Sequence, residues 1–488
     1  MALGFIDKIE PFIPSIKGPS KPLSLREKMY WTAGIIGIYF LLYNTYAIGV
    51  NQTAIASQPF FQLMSIVFAS KIGSLITVGI GPIVLASIIL QLIVGSDLIK
   101  IDLNNPIDKA RFQTLQKLLA IIIAVVESVI YIMTDFVPIS SPSLFGIVAL
   151  QLAIGAILII FLDEMMTKYG VTSGINMFIA AGVSYAIIAG TLTILLPGAI
   201  SMLNPATGGG GASALPNAVL VFGPFFFAII ILLVSIYAYE TKVELPLSFE
   251  QFRGVGGRLP IPFLYVSVLP VILASSLELS LTIWFRFLAN VSGSLANLAH
   301  FFAYYQTIGG SPQLVGGIVY LISPTFPSPY PAPYGVGGYG PYIHILLNSV
   351  STLYLPTGGF ILIPEWVHAI IYTLVLMALC VVFGKFWIEM TGQSPKNMAE
   401  QMSDVGWQIP GFRRDPRIIE NVLNKYIPTI TILGSMFVGL LAAIATLTGA
   451  IGTGMGILLT VGIVYMLYQQ LEQENLFETY PILEKIVK

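Results

Sequence analysis

Charge is what this sequence has least of. Asp, Glu, Lys and Arg make up only 10% of its 488 residues, against about a quarter in a soluble domain, which excludes an ordinary water-soluble enzyme. A single cysteine, Cys380, excludes an intramolecular disulfide framework and any thiolate cluster for zinc or iron–sulfur. The three histidines, His300, His344 and His368, are scattered, and no two have the spacing that sets a metal pair on one helix face. Net charge is −1, so nothing global attracts nucleic acid. A phosphate-binding loop is missing too: Gly452-Thr-Gly454-Met-Gly456 lacks the Lys-Ser/Thr ending and sits inside an apolar run, where small residues serve helix packing. No catalytic constellation and no cofactor site follow from these residues.

Apolar runs are abundant instead. About 20 mostly apolar residues cross the hydrocarbon core as a helix. Such runs fall at Tyr30–Val50, Ile72–Val94, Leu118–Met133, Leu144–Leu162 and Ile175–Leu196, then at Ala218–Tyr239, Ile261–Leu288, Trp366–Ile388, Ile427–Leu447 and Gly449–Tyr468. They are too long and continuous for barrel strands, so the fold class is an all-α membrane protein with ten transmembrane helices. Ahead of the first run lies a polar segment expected to form a short amphipathic helix broken by Pro11, Pro14, Pro19 and Pro22. Ser24 and Glu27 then have the capping-box spacing. With the N-terminus inside, 21 of the 23 Lys and Arg residues fall on the cytoplasmic side, and only Lys71 and Arg286 fall elsewhere. Both termini are therefore expected in the cytoplasm.

The outer segment Val291–Pro364 contains no Asp, Glu, Lys or Arg and is rich in Gly, Pro, Ser and Tyr. It reads as an outer cap, with Asn51 and Asn290 opening glycosylation triplets. Deep ionisable groups are few, chiefly Glu127 and Glu278. An ion-coupled transporter usually needs more of them, so that alternative is disfavoured, as is a membrane-embedded enzyme.

Two stretches decide the reading. Gly73–Gln91 reads GSLITVGIGPIVLASIILQ, and Phe161–Asn176 reads FLDEMMTKYGVTSGIN. Both strongly resemble signature segments of the SecY family, the central subunit of the Sec protein translocase, in its archaeal branch. The resemblance continues through Pro260–Leu273, the Gly411-Phe-Arg-Arg loop and Gly449–Gln470. It covers the chain apart from the outer segment. It implies two five-helix halves, 1–215 and 216–488, closed around an hourglass pore.

Positions matching the family's constriction are Ile80, Val84, Ile175, Ile179, Ile272 and Leu459. Aliphatic side chains around a narrow bore block ions by dewetting, and stiff Ile and Val give a defined collar. The half-helix Gln62, Leu63, Met64, Ser65, Ile66, Val67, Phe68, Ala69, Ser70, Lys71 and Ile72 matches the plug of the resting pore. A sideways gate between spans two/three and seven/eight would use Glu127 and Ser280, with Leu85 standing where a hydroxyl residue is often found.

The loops Glu240–Pro260 and Gly392–Pro428 match the family's ribosome-docking loops 6/7 and 8/9. Arg253, Arg258, Arg413 and Arg414 are the candidate contacts to RNA phosphates. The resemblance also implies two small single-span partners, the gamma (SecE) and beta subunits. It further implies passage of signal peptides and nascent chains, release of membrane segments into the lipid bilayer, and a place in the plasma membrane.

Overall fold

The computed structural model describes residues 14–21, 23–52, 70–95, 105–204, 214–249, 256–266, 268–290, 296–308, 311–331, 335–404, 407–408 and 416–479. Ten helices account for the ten apolar runs: α1 (Leu25–Asn44), α2 (Gly81–Gly95), α3 (Pro106–Met133), α4 (Phe145–Tyr169), α5 (Gly174–Gly190), α6 (Gly223–Glu240), α7 (Leu269–Trp284), α8 (Glu365–Met390), α9 (Pro416–Leu447) and α10 (Gly454–Thr479). Among the described residues, the helices of spans three to nine are long and apolar enough to cross a membrane by themselves. In α2 and α10 the apolar helix is shorter.

Local chemistry sets the helix ends. The Ser24 hydroxyl accepts from the Glu27 amide while the Glu27 carboxylate accepts from the Ser24 amide, so the expected capping box opens α1. Asn105 caps α3 by accepting from the Ile107 amide at 3.0 Å, and Pro106 occupies the first turn, where a missing N–H costs nothing. Helices α3, α4 and α9 run past their apolar stretches into polar sequence, so hydropathy marks only their lipid-embedded parts.

Span two departs from expectation. Residues 71–80 are a succession of turns rather than helix. Gly73 and Gly79 take positive φ, and Ser74 and Thr77 fold their hydroxyls back onto Lys71 and Ser74 carbonyls. The helix starts only at Gly81-Pro82. Span five changes its winding midway: a π-helical stretch, Thr191–Leu195, leads into the α-helix Leu196–Leu203, where Pro197 removes one donor from the ladder.

Of the polar leading segment, residues 1–13 and 22, where most of the expected amphipathic helix falls, lie outside the described residues, and residues 14–21 form no helix. Tyr169 Oη donates to the Lys17 carbonyl at 2.8 Å, and Glu164 accepts from the Ile16 amide at 3.0 Å. The Lys117 and Lys168 ammoniums donate to the Pro14 and Ile16 carbonyls. The same Glu164 pairs with Lys117 at 2.5 Å and Lys168 at 2.8 Å, so one carboxylate joins α3, α4 and the leading segment.

Among the described residues, strands occur only in the loops. One sheet is β2–β1–β7, from β1 (Lys242–Phe249), β2 (Gly256–Pro262) and β7 (Trp407–Gln408). The second is β3–β4–β5–β6, from β3 (Tyr304–Ile308), β4 (Ser311–Gly316), β5 (Val350–Tyr354) and β6 (Phe360–Pro364). The outer segment is thus a folded cap with short helices at Ile318–Ile322 and Tyr339–Asn348.

Aromatic and hydroxyl groups, in place of charges, pin this cap to the bundle. Tyr339 Oη donates to the Thr448 carbonyl at 2.8 Å, and Tyr342 Oη donates to that of Leu447. Tyr305 Oη donates to the Thr282 carbonyl at 2.5 Å. Buried His368 bridges Glu365 at 3.0 Å and the Ser323 carbonyl at 3.2 Å, while Tyr320 donates to Glu365 at 2.8 Å. That role for His368 is structural.

Candidate channel, gate and docking surface

The candidate ring positions come from α2 with the turn before it, α5, α7 and α10. Ile80 and Val84 flank the start of α2, where the Ile80 carbonyl accepts from the Ile83 and Val84 amides. Ile175 and Ile179 lie on the first turns of α5, Ile272 on α7 and Leu459 on α10. Helix α2 packs on α7, and α5 packs on α10. Ile80, Val84, Ile179, Ile272 and Leu459 are all 0–2% exposed within one continuous apolar core, and Ile175 packs against it half-buried.

Close backbone approaches position these helices. A Cβ on Gly456 would stand 2.2 Å from Val183 Cγ2, so the missing side chain lets α10 close on α5. The Gly454 Cβ would meet Ala445 at 2.4 Å, and Gly452 has φ +91°. The glycine run therefore serves packing, as expected. Gly155 of α4 leaves room for the Leu75 carbonyl, 1.8 Å from where its Cβ would be.

Asp163 was not among the expected site residues, yet it fixes the start of α5. Ser173 gives that helix no side-chain cap. Asp163 Oδ1 instead accepts from the Ile175 amide at 2.9 Å, across the α4–α5 junction. Gly174 is required there, since its Cβ would lie 2.5 Å from Asp163 Cα. The carboxylate thus holds the helix N-terminus from which Ile175 and Ile179 project. The sequence signal was the Asp-Glu pair of the signature stretch: Asp163 turns inward to the helix and Glu164 outward to the lysines.

A cavity of about 710 Å³ is lined, among others, by Tyr43, Tyr185, Thr282, Arg286, Tyr305 and Tyr330. Arg286, one of the two cations not expected on the cytoplasmic side, donates to the Asp135 carbonyl at 3.3 Å and sits 5.9 Å from the Phe136 ring centroid. The other, Lys71, stands 4.8 Å from the Tyr46 ring and 5.9 Å from that of Tyr43. Of the expected plug, Gln62 through Ala69 lie outside the described residues. Ser70 and Ile72 are buried, and Lys71 is half-buried.

Glu127 on α3 and Ser280 on α7 are both buried and without a hydrogen-bond partner. Leu85 is buried on α2, which packs on both α3 and α7. Trp284 approaches Glu127 from α7 with its indole N–H short of hydrogen-bond geometry. Tyr131, one turn from Glu127, keeps an unpartnered hydroxyl, as does Ser276, one turn from Ser280. Sequence reasoning missed Tyr131, Ser276 and Trp284, although the i, i+4 spacings 127/131 and 276/280/284 put them on the same helix faces. Glu278, the other deep carboxyl, faces Tyr372 and Cys380 of α8. Cys380 is a buried apolar neighbour within the core.

The two candidate docking loops, expected on the cytoplasmic side, are joined as one folded unit. Strand β1 pairs with β2 (Pro246 opposite Arg258) and also with β7, through Ser248–Gln408 and Phe249–Trp407. A second apolar core joins Ile261 and Val266 to Ile388, Ala399, Met402, Ile419 and Leu423. Arg258 lies on β2. Arg253, Arg413 and Arg414 lie outside the described residues.

Ten apolar helices around one continuous apolar core, with a cavity adjoining it, define a membrane protein of the channel class rather than a carrier with a charged central site. The SecY family profile matches residues 74–468. The protein translocase subunits SecY of Methanococcus vannielii and Methanocaldococcus jannaschii are 38% and 39% identical to this chain. They align over 98% and 97% of it and over 99% and 97% of themselves. This chain belongs to the SecY family. Among solved structures, a protein-conducting channel superposes with TM-score 0.75 at 35% identity over 99% of both chains. Sec61 in the canine ribosome–channel complex from the endoplasmic reticulum superposes with TM-score 0.72 at 34% identity, again over 99% of both chains.

Proposed function

We propose that this chain is the channel subunit of a protein translocase, passing unfolded secretory chains across the plasma membrane and releasing membrane segments sideways into lipid. One observation carries the reading: the aliphatic residues Ile80, Val84, Ile179, Ile272 and Leu459, drawn from both halves, are buried together in one apolar core. A constriction of this kind excludes ions by dewetting and can yield as a collar around a moving chain. Residues 1–215 and 216–488 form the two halves. Their contacts α2–α7 and α5–α10 are the seams that part on opening. The plug, 62–72, belongs above the ring, in keeping with Lys71 beside Tyr43 at the cavity wall.

The seam at α2, α3 and α7 is the lateral gate, with Leu85, Glu127 and Ser280 setting how apolar a segment must be to leave. Both termini face the cytoplasm. The joined loops 6/7 and 8/9 dock the ribosome through Arg253, Arg258, Arg413 and Arg414, and pairing of β1 with β7 makes the two loops a single surface. The gamma (SecE) and beta subunits complete the assembly. In the test, the chain is reconstituted with those subunits in vesicles, and a signal-bearing substrate is followed into protease protection. Signal-dependent protection supports the reading. Equal protection with a signal-deleted substrate contradicts it.

A further inference from the structure

We infer that the β5–β6 hairpin and the cap helix Tyr339–Asn348 rest in the outer membrane interface, making the charge-free cap a lipid-binding surface. Strand β6 carries the argument. Phe360, Ile361 and Leu362 are 64%, 48% and 54% exposed. Consecutive residues point to opposite faces of a strand, so both faces of β6 are bare and apolar. A sheet covering a core on one side and facing water on the other alternates instead. Strand β6 is also the last in the order β3–β4–β5–β6, so one edge is unpaired. In water, an exposed, apolar, unprotected edge is an aggregation site.

The cap helix repeats the pattern one element away. Its inner face is anchored to the outer end of α9 through Tyr342, while Ile343 and Leu347, four residues apart on the other side, are 50% and 59% exposed. The helix packs on both β6 and α8. Strand β6 runs directly into α8, whose Trp366, Ile370 and Leu374 are exposed on the membrane-facing part of the span. The apolar surface of the cap is thus continuous with the lipid-facing surface of span eight. Trp366 at the junction is the residue type enriched at headgroup level.

Charge points the same way: Val291–Pro364 contains no Asp, Glu, Lys or Arg, so the large desolvation cost of burying such a charge does not oppose this placement; the exposed polar groups of the cap helix, His344 and Asn348, keep to headgroup level. Depth is limited by β6 itself. An unpaired strand edge is not tolerated in hydrocarbon, so the hairpin lies at the boundary of headgroups and acyl chains, about 5–10 Å deep as interfacial elements do.

Single-cysteine labelling tests this, because the native Cys380 is buried. Leu347→Cys and Leu362→Cys, each carrying a fluorophore, are reconstituted with the small subunits in vesicles containing lipids nitroxide-labelled at a shallow or a deep acyl position. Leu374→Cys serves as the transmembrane reference. Both cap positions are expected to lose emission to the shallow nitroxide more than to the deep one, with the order reversed at Leu374. Absence of lipid quenching at both cap positions, whether from water exposure or from cover by protein, overturns the inference. Deep quenching equal to that at Leu374 overturns the interfacial placement. If one variant fails to assemble, the other carries the same expectation.

Discussion

Replacing Glu127 with Leu should make the lateral gate harder to open. Glu127 is fully buried on α3, and neither carboxylate oxygen has a hydrogen-bond partner. Its surroundings, Trp284 and Tyr131 among them, contain no cation within ion-pair distance among the described residues. Leaving such a group unpaired in the closed state costs about 1–3 kcal/mol. Leucine of similar length fills the same space without that cost, so the closed gate gains stability of the same order. At about 1.4 kcal/mol per factor of ten, the closed-to-open ratio rises by about 5- to 150-fold. The assay is insertion efficiency across segments of graded Leu content. With Leu contributing up to about 0.6 kcal/mol at a helix centre, the Glu127→Leu threshold should move up by about two to five leucines. Leu85→Thr returns a hydroxyl to the same seam and should lower the threshold by about 1 kcal/mol. Coincident curves for wild type and both variants, in complexes that assemble equally, would refute the gate reasoning.

Three further outcomes are expected. Ile80, Ile175 and Ile272 replaced together by Ser should wet the constriction and raise ion conductance of the resting channel, read in planar bilayers; a tight triple variant would remove those residues from the pore. Charge reversal at Arg253, Arg258 and Arg413 should weaken ribosome binding in co-sedimentation, and wild-type binding should fall as salt rises; unchanged affinity would move docking to other residues. Asp163→Ala should cost about 0.5–2 kcal/mol at the α5 N-terminus, measured as a lower unfolding midpoint together with increased leak, while Asp163→Asn keeps an acceptor for the Ile175 amide and should recover most of the loss.

Much of the architecture was legible because lipid leaves the backbone few options. A run such as Trp366–Ile388 must be helical to pair its own polar groups, and it is. Hydropathy was blind wherever the cause was not hydropathy. The turns at 71–80 follow from positive φ at Gly73 and Gly79 and from the Ser74 and Thr77 hydroxyls, all inside an otherwise apolar run. The strands of the cytoplasmic hairpin hold Pro246, Pro260 and Pro262, a residue that argues against strand, and their union with β7 is a long-range pairing that no local pattern announces. The candidate ring and gate residues rest on resemblance alone, because an isoleucine that lines a pore has the same local sequence as one that packs a core. Asp163 was quoted within the signature stretch, but its cap on α5 depends on how α4 and α5 meet.

The central claim is that a translocating chain passes through this aliphatic ring, and site-specific photocrosslinking tests it most directly. A photoreactive side chain is placed singly at Ile179, at Leu459 and at lipid-facing Leu374, and a signal-bearing chain is arrested midway. Crosslinks to the substrate's mature region from Ile179 and Leu459, with none from Leu374 and none when the signal is deleted, are what the account predicts. Crosslinking from Leu374 with silence at both ring positions would contradict it.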